Sequence, residues 1–248
     1  MILSIYMTNN NLKISEAAKM LGVSALTLRK WGESGKLVPN IDPDNKYRFY
    51  SLAQLEDFIK NNAFVFAGKW SRSKKPKNPP DFVYCQNSSV FQARLPRLRN
   101  ELVKTFGDKP IFSLVVAMVG EIGNNSFDHN IGSWPDIPGI FFCFNIAKRE
   151  IVLADRGQGV LKTLKRAVPE LNTDEEAVRT AFTKVISGRA PESRGNGLKF
   201  VRKIMEQTPI DLFFQSGEAE LTISGYSSEL KIKKTINKNQ GCLVLIKF

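Results

Sequence analysis

One stretch constrains the fold of this chain more than any other: an apolar run from Ile111 that closes on Glu121-Ile-Gly-Asn-Asn125-Ser-Phe-Asp128-His129-Asn130. Its spacing predicts a single helix. Leu114, Val115, Met118, Ile122 and Phe127 cover a buried side, while Glu121, Asn125, Asp128 and His129 share another face at intervals of three and four. Carboxylates and a carboxamide on the wall of a core helix are costly to bury unless a polar ligand meets them. A solvent-facing polar stripe satisfies the same spacing, so the downstream motifs decide.

The 248 residues, 42% of them hydrophobic, give room for one large domain or two smaller ones with a real core. Cys85, Cys143 and Cys242 are far apart, and a single histidine leaves no zinc set. Reduced thiols in a cytoplasmic protein are expected. The segment from Met1 to Met7 lacks a basic start, and the run from Ile111 to Val119 is too short to span a bilayer, so neither export nor membrane insertion is expected. The net charge of +12 favours a polyanionic partner, and the first 80 residues hold 13 Lys and Arg against 6 Asp and Glu. Basic charge concentrated there points to nucleic acid, since phosphate neutralisation supplies most non-specific affinity.

From Lys13, the residues Ile14, Ala17, Ala18 and Leu21 fit a short amphipathic helix. Gly22 breaks it, and Ser24 caps a second helix running to about Glu33. Val23, Leu28 and Trp31 point inward in this reading, leaving Ala25, Thr27, Arg29 and Lys30 to face a major groove. Gly35, Pro39 and Pro43 punctuate a wing that ends at Tyr47-Arg48-Phe49-Tyr50. Ser51-Leu-Ala-Gln54 is a capping box opening a further helix, with Leu52, Leu55, Phe58 and Ile59 inside. The order I-S-E-A-A-K-M-L-G-V-S, T-L-R-K-W, G-K-L, Y-R-F-Y-S-L-A-Q-L over residues 13 to 60 resembles the winged helix-turn-helix of the MerR and excisionase group. The resemblance implies double-stranded DNA as partner, with Tyr47 and Arg48 on sugar-phosphate. Small winged helices also dock proteins, and useful DNA specificity needs a dimer with two half-sites.

Lys69 to Pro80 has the Pro, Lys and Ser content of an exposed tether. The expected organisation is therefore a winged helix over 1–68, a basic linker over 69–80 and a second domain over 81–248. In the last of these, residues 88 to 106 read as a helix interrupted near Pro96. A hairpin of two strands, Gly139 to Ala147 and Glu150 to Ala154, leads into Asp155-Arg-Gly157-Gln-Gly159. Ser193-Arg194-Gly195-Asn196-Gly197-Leu198 then enters a helix with Leu198, Val201, Ile204 and Met205 on its apolar side, a glycine-rich helix start suited to an anion. Strands are expected at 210–215, 220–226, 230–236 and 241–248. Each glycine motif alone is weak evidence, since either is often only a turn.

Together, E-I-G-N-N, D-R-G-Q-G and R-G-N-G-L resemble the three ATP-binding boxes of the GHKL superfamily, which includes DNA gyrase B, MutL and the histidine kinases. The resemblance covers residues 85 to 248. It implies an α+β protein in which the winged helix-turn-helix precedes a Bergerat-type α/β sandwich with a mixed sheet, holding ATP and magnesium. By that resemblance Glu121 is the catalytic base, Asn125 the magnesium ligand, and Asp155 the acceptor of the adenine amino group. Gly157 and Gly159 let the backbone approach the base, and Gly195 and Gly197 receive phosphates. Arg194, Asn196, Leu198 and Lys199 complete the cofactor set, with Arg189 a further cation and residues 160–193 the lid. Asp128 and His129 buttress the site.

The function so implied is an ATPase whose nucleotide state modulates DNA binding or assembly. An ATP sensor without turnover, or an anti-sigma-like protein kinase acting on a partner protein, stands as the alternative. The chain ends at Phe248 without the transducer lysine of gyrase B and MutL, which would leave any activating lysine to a partner.

Overall fold

The computed structural model describes residues 11–184 and 197–248. It divides into two compact units, Met1–Asn62 and Ala63–Phe248, each described by itself below.

In the first unit, β1 (Asn11–Leu12) precedes α1 (Ile14–Met20) and α2 (Ala25–Glu33). The Ser24 hydroxyl accepts from the Thr27 N–H at 3.0 Å, supplying one of the partners that a helix start lacks. Ala17, Ala18, Leu21 and Leu28 are buried between the two helices and a small antiparallel sheet of order β1-β3-β2. In that sheet β2 (Asn40–Ile41) and β3 (Arg48–Ser51) form the wing, and α3 (Leu52–Asn61) follows. Trp31 of α2 packs on Phe58 of α3 with ring centroids 5.3 Å apart.

The capping box expected at Ser51 is only half made. Its hydroxyl accepts from the Gln54 N–H at 3.2 Å, but the Gln54 carboxamide turns away, donating to the Val38 carbonyl at 2.6 Å and accepting from Asn40 Nδ2 at 3.0 Å. Gln54 thereby fastens the base of the wing to α3.

The second unit opens with α4 (Ala63–Arg72), where a tether was expected from Lys69. Trp70 and Ser71 are buried, and Trp70 Nε1 donates to the Lys77 carbonyl at 3.0 Å. The expected linker is therefore partly packed structure: its composition is that of a tether, but Trp70 finds a sheet to cover and the Ser71 hydroxyl donates to Asn239 Oδ1 of β8 at 2.7 Å. Next come β4 (Tyr84–Cys85), α5 (Ser88–Phe106), α6 (Pro110–Asp128), β5 (Ile140–Asn145), β6 (Glu150–Asp155) and α7 (Gly159–Leu164). They are followed by α8 (Asp174–Thr183), α9 (Gly197–Gln207), β7 (Asp211–Ile223) and β8 (Lys231–Lys247).

α5 runs unbroken through Pro96. The proline removes the N–H that would reach the Gln92 carbonyl, yet both residues face solvent, where water replaces it, while Phe91, Leu95, Leu98 and Leu102 hold the opposite side in the core. α6 buries Phe112, Val115, Met118, Ile122 and Phe127 as its spacing predicts; Leu114 is exposed.

The sheet has the order β4-β5-β6-β8-β7, and each neighbouring pair is antiparallel, not mixed as expected. The four short strands expected after Ile210 are two long ones, joined across irregularities at Ser216, Gly217 and Ala219. Both faces are covered, and strand alternation decides which side chain goes where. Phe214 meets Phe182 of α8 at 5.3 Å on one face, and its neighbour Phe213 meets Phe64 of α4 at 5.3 Å on the other. The main core lies on the first face, where α5, α6, α8 and α9 pack on Phe142, Leu153, Leu212 and Val244.

One side chain the sequence did not advertise joins the α4 side of the sheet to the loops around it. Arg156 is 1% exposed. Its guanidinium donates to the carbonyls of Trp70 at 2.5 Å, Ser71 at 2.8 Å and Ser73 at 2.9 Å, and to Gln240 Oε1 at 3.2 Å. It also pairs with Asp136 through Nη2 at 2.7 Å and Nε at 3.0 Å, which holds the Asp136 carboxyl below the usual carboxylate range. Replacing it strands buried carbonyls. Arg156→Ala is expected to lose about 3–5 kcal/mol in urea unfolding, and Arg156→Lys to recover less than half of that, since an ammonium cannot span the same set of acceptors.

Candidate functional site

The D-R-G-Q-G turn begins where β6 ends and α7 starts, so Asp155 points from a strand end into the gap between the sheet and α6. The residue is 2% exposed. It accepts from the Gly157 N–H at 2.8 Å and from Ser126 Oγ of α6 at 2.9 Å, and the N–H and thiol of Cys242 also face it. Burial outweighs these donors and pushes its pKa up from 3.8 to about 6.

The turn is held by residues the sequence reading did not single out. Asn130, 4% exposed, accepts from the Gln158 N–H at 2.8 Å and donates to the Ser126 carbonyl at 2.8 Å. Ser216 Oγ accepts from the Val160 N–H at 2.9 Å and donates to the Gly241 carbonyl at 3.2 Å. Gly241 has φ of +69° and lies so close to the turn that a Cβ there would collide with Asp155 Oδ1. Only the adjacency of Ser126 and Asn130 to Asn125 could have drawn attention to them; nothing local marks Ser216, Gly241 or Cys242.

A pocket opens beside Asp155, lined in part by Asn125, Ser126, Asn130, Val160, Leu198 and Cys242. One turn before Asn125 on α6, Glu121 meets the start of α9: a Cβ on Gly197 would lie 2.6 Å from Glu121 Oε2 and 3.3 Å from Asn125 Nδ2. The structure thus gathers Glu121, Asn125, Asp155, Gly157, Gly159, Gly197 and Leu198 around one region. Lys199 Nζ donates to the Lys184 carbonyl at 2.8 Å, and burial lowers its pKa. Arg189, Arg194, Gly195 and Asn196 lie outside the described residues. The lid expected over 160–193 is, as far as Lys184, two helices, of which α8 buries Ala177, Val178 and Phe182 in the core. Asp128 and His129 are exposed at the end of α6. Among the described residues no cluster of three or more His, Cys, Asp or Glu is arranged to hold a metal.

In the first unit Arg29, Lys30, Tyr47 and Arg48 are exposed, Tyr47 by 74%, on α2 and the wing. Ala25 and Thr27 are half-buried, and the Thr27 hydroxyl lies 2.8 Å from Ser24 Oγ within the cap. Among the described residues no helix is long and apolar enough to cross a membrane.

Comparison with known proteins matches residues 13–50 to the MerR family of regulatory proteins. It also finds the type II methyltransferase M.Eco47II of Escherichia coli, 40% identical over 222 residues, which takes in 84% of this chain and 51% of that protein. The chain spans about half the length of this relative. The similarity overturns the GHKL assignment and, with it, the ATPase, its sensor and kinase alternatives, and ATP with magnesium as cofactors. Three short glycine- and asparagine-bearing boxes are a small sample of the chain, whereas the similarity extends over most of it. Asn125 loses its role as magnesium ligand and Glu121 its role as base for an attacking water.

The environment of Asp155 sets a testable pH dependence. A carboxyl whose pKa is raised by folding binds more protons folded than unfolded, so its stability contribution is held below about pH 4 and lost as pH rises through about 6. The shift from 3.8 to about 6 corresponds to ~3 kcal/mol. Asp155→Asn is expected to be more stable than the unaltered protein in urea at pH 8, with the advantage shrinking toward pH 4. A difference independent of pH would show that this carboxylate is not desolvated.

Proposed function

We propose that this chain is a DNA-binding component of a DNA methylation activity, with its winged helix on duplex DNA and an adenosyl cofactor, S-adenosylmethionine, in the pocket beside Asp155. The MerR-family match and the methyltransferase relative support the two halves of this reading. The observation that carries it is the buried Asp155 carboxylate aimed into a largely apolar pocket. A carboxylate costly to bury is what a site uses to select a ligand amino group, because a ligand lacking that donor leaves the acceptor unpaired. The weakest donor now facing Asp155 is the Cys242 thiol, which an adenine amino group would displace.

Gly157 and Gly159 border the ring, Leu198 closes the apolar wall, and Asn125 offers a carboxamide to the ribose. Glu121 stands beside Gly197, where its carboxylate would meet the ammonium group at the cofactor's amino-acid end, with Lys199 in the first turn of the same helix. In the first unit Arg29, Lys30, Tyr47 and Arg48 contact DNA, and a second copy would supply the second half-site. The helices covering the sheet support, as architecture only, a Bergerat-type sandwich.

The reading is one of binding. The antiparallel sheet has no strand switch of the kind at which parallel sheets hold nucleotides. The Cys85 thiol is pushed up to about 11 by burial, that of Cys242 is raised well above its usual value, and Cys143 is buried in β5, so the cysteines are not set up as nucleophiles.

Equilibrium dialysis with labelled S-adenosylmethionine is expected to show binding that falls ~10–100-fold in Asp155→Asn, the cost of weakening a hydrogen bond to a charged acceptor. Binding of ATP with none of S-adenosylmethionine would overturn the methylation reading. Binding unaffected by the substitution would remove Asp155 from the site.

A further inference from the structure

On the opposite side of the Gly157-Gln158-Gly159 turn from the adenosyl pocket lies a second, wider groove, walled by residues 71–74, by α7 and its following turn, and by the β7–β8 hairpin. Five cations line it: Arg72, Lys74, Lys162, Lys165 and Lys238. All five are exposed, and none forms an ion pair with a carboxylate among the described residues. This sets them apart from Lys231, Lys233, Lys234 and Lys247 on the same hairpin, each within 3.7 Å of a glutamate. The acid in the groove, Asp174, has Oδ2 engaged by the Glu218 N–H at 2.8 Å. Gln158, also in the wall, has its Nε2 buried with no hydrogen-bond partner, while its Oε1 accepts from a further cation, Arg166, at 2.9 Å.

We infer that this groove binds the sugar-phosphate backbone of DNA, giving the second unit a hold on DNA of its own. The chemistry is that of spaced cations on three separate elements converging on a concave surface, five of them against the single described carboxylate of Asp174, which suits a chain of phosphates better than a single anion. No base-reading side chains are needed for such a grip, so it adds affinity without sequence preference. DNA as the polyanion rests on the reading of the winged helix given above.

The test is the salt dependence of duplex binding by the full chain. Three proteins are compared by fluorescence anisotropy: the unaltered chain, a groove variant (Lys162→Gln, Lys165→Gln, Lys238→Gln) and a wing variant (Arg29→Ala, Arg48→Ala). Removing one cation from its phosphate lowers the slope of log affinity against log salt by about 1, so the groove variant should show a slope shallower by about 3. Its drop in affinity should be the same on unrelated duplex sequences. The wing variant should keep the groove's share of the slope. A groove variant with unaltered slope and affinity, beside a weakened wing variant, overturns this inference and leaves the winged-helix reading standing. A wing variant unaltered while the groove variant fails overturns the winged-helix reading alone, and absence of DNA binding by the unaltered chain overturns both.

Discussion

The buried guanidinium of Arg156 is the constraint on which the second unit depends. A charge removed from water is tolerated only where each of its donors has a partner, and here those partners lie on α4 and the residues after it, on the Asp136 loop and on the β8 turn at Gln240. The next residue back, Asp155, is equally buried but faces the other way, toward α6. Two adjacent charged residues at the end of β6 therefore serve opposite ends. One closes the structure, and the other is left short of compensation inside a pocket.

That asymmetry explains why the site is where it is. Arg156 fixes the strand end, Asn130 and Ser216 fix the turn from either side, and Gly241 leaves no room for any side chain between them. Asp155 cannot relax toward water without breaking this frame, so its carboxyl stays raised. The same turn has a basic groove on its far side, and an adenosyl ligand and a phosphate backbone would thus meet one short segment of chain from opposite sides.

Much of the architecture was legible because it is encoded by local periodicity. The polar stripe on α6, the helix-turn-helix with its Ser24 cap, and the hairpin ending at Asp155 all follow from spacing and turn chemistry within short windows. What the sequence concealed depends on partners far away. Arg156 looks like one basic residue among 36 until its acceptors, more than 80 positions distant for four of them, are in place. The composition of residues 69–80 suggests a tether, and only the sheet beneath shows that Trp70 has somewhere to go. Gln54 fits a capping box by spacing, but the wing offers its carboxamide a better pair of partners. The three glycine-bearing boxes do come together in space where their residues are described, yet proximity of Glu121, Asn125 and Gly197 does not name the ligand, and the similarity to a methyltransferase overturns the one first inferred.

The central claim is that Asp155 is a desolvated carboxylate reserved for a ligand amino group. The direct measurement is the pKa of its carboxyl carbon by NMR, in the free protein and with saturating S-adenosylmethionine. A free value of about 6 that falls when the ligand is bound is the expected result, because a donated hydrogen bond stabilises the charged form. A free value near 3.8, or one that the ligand leaves unmoved, would contradict it.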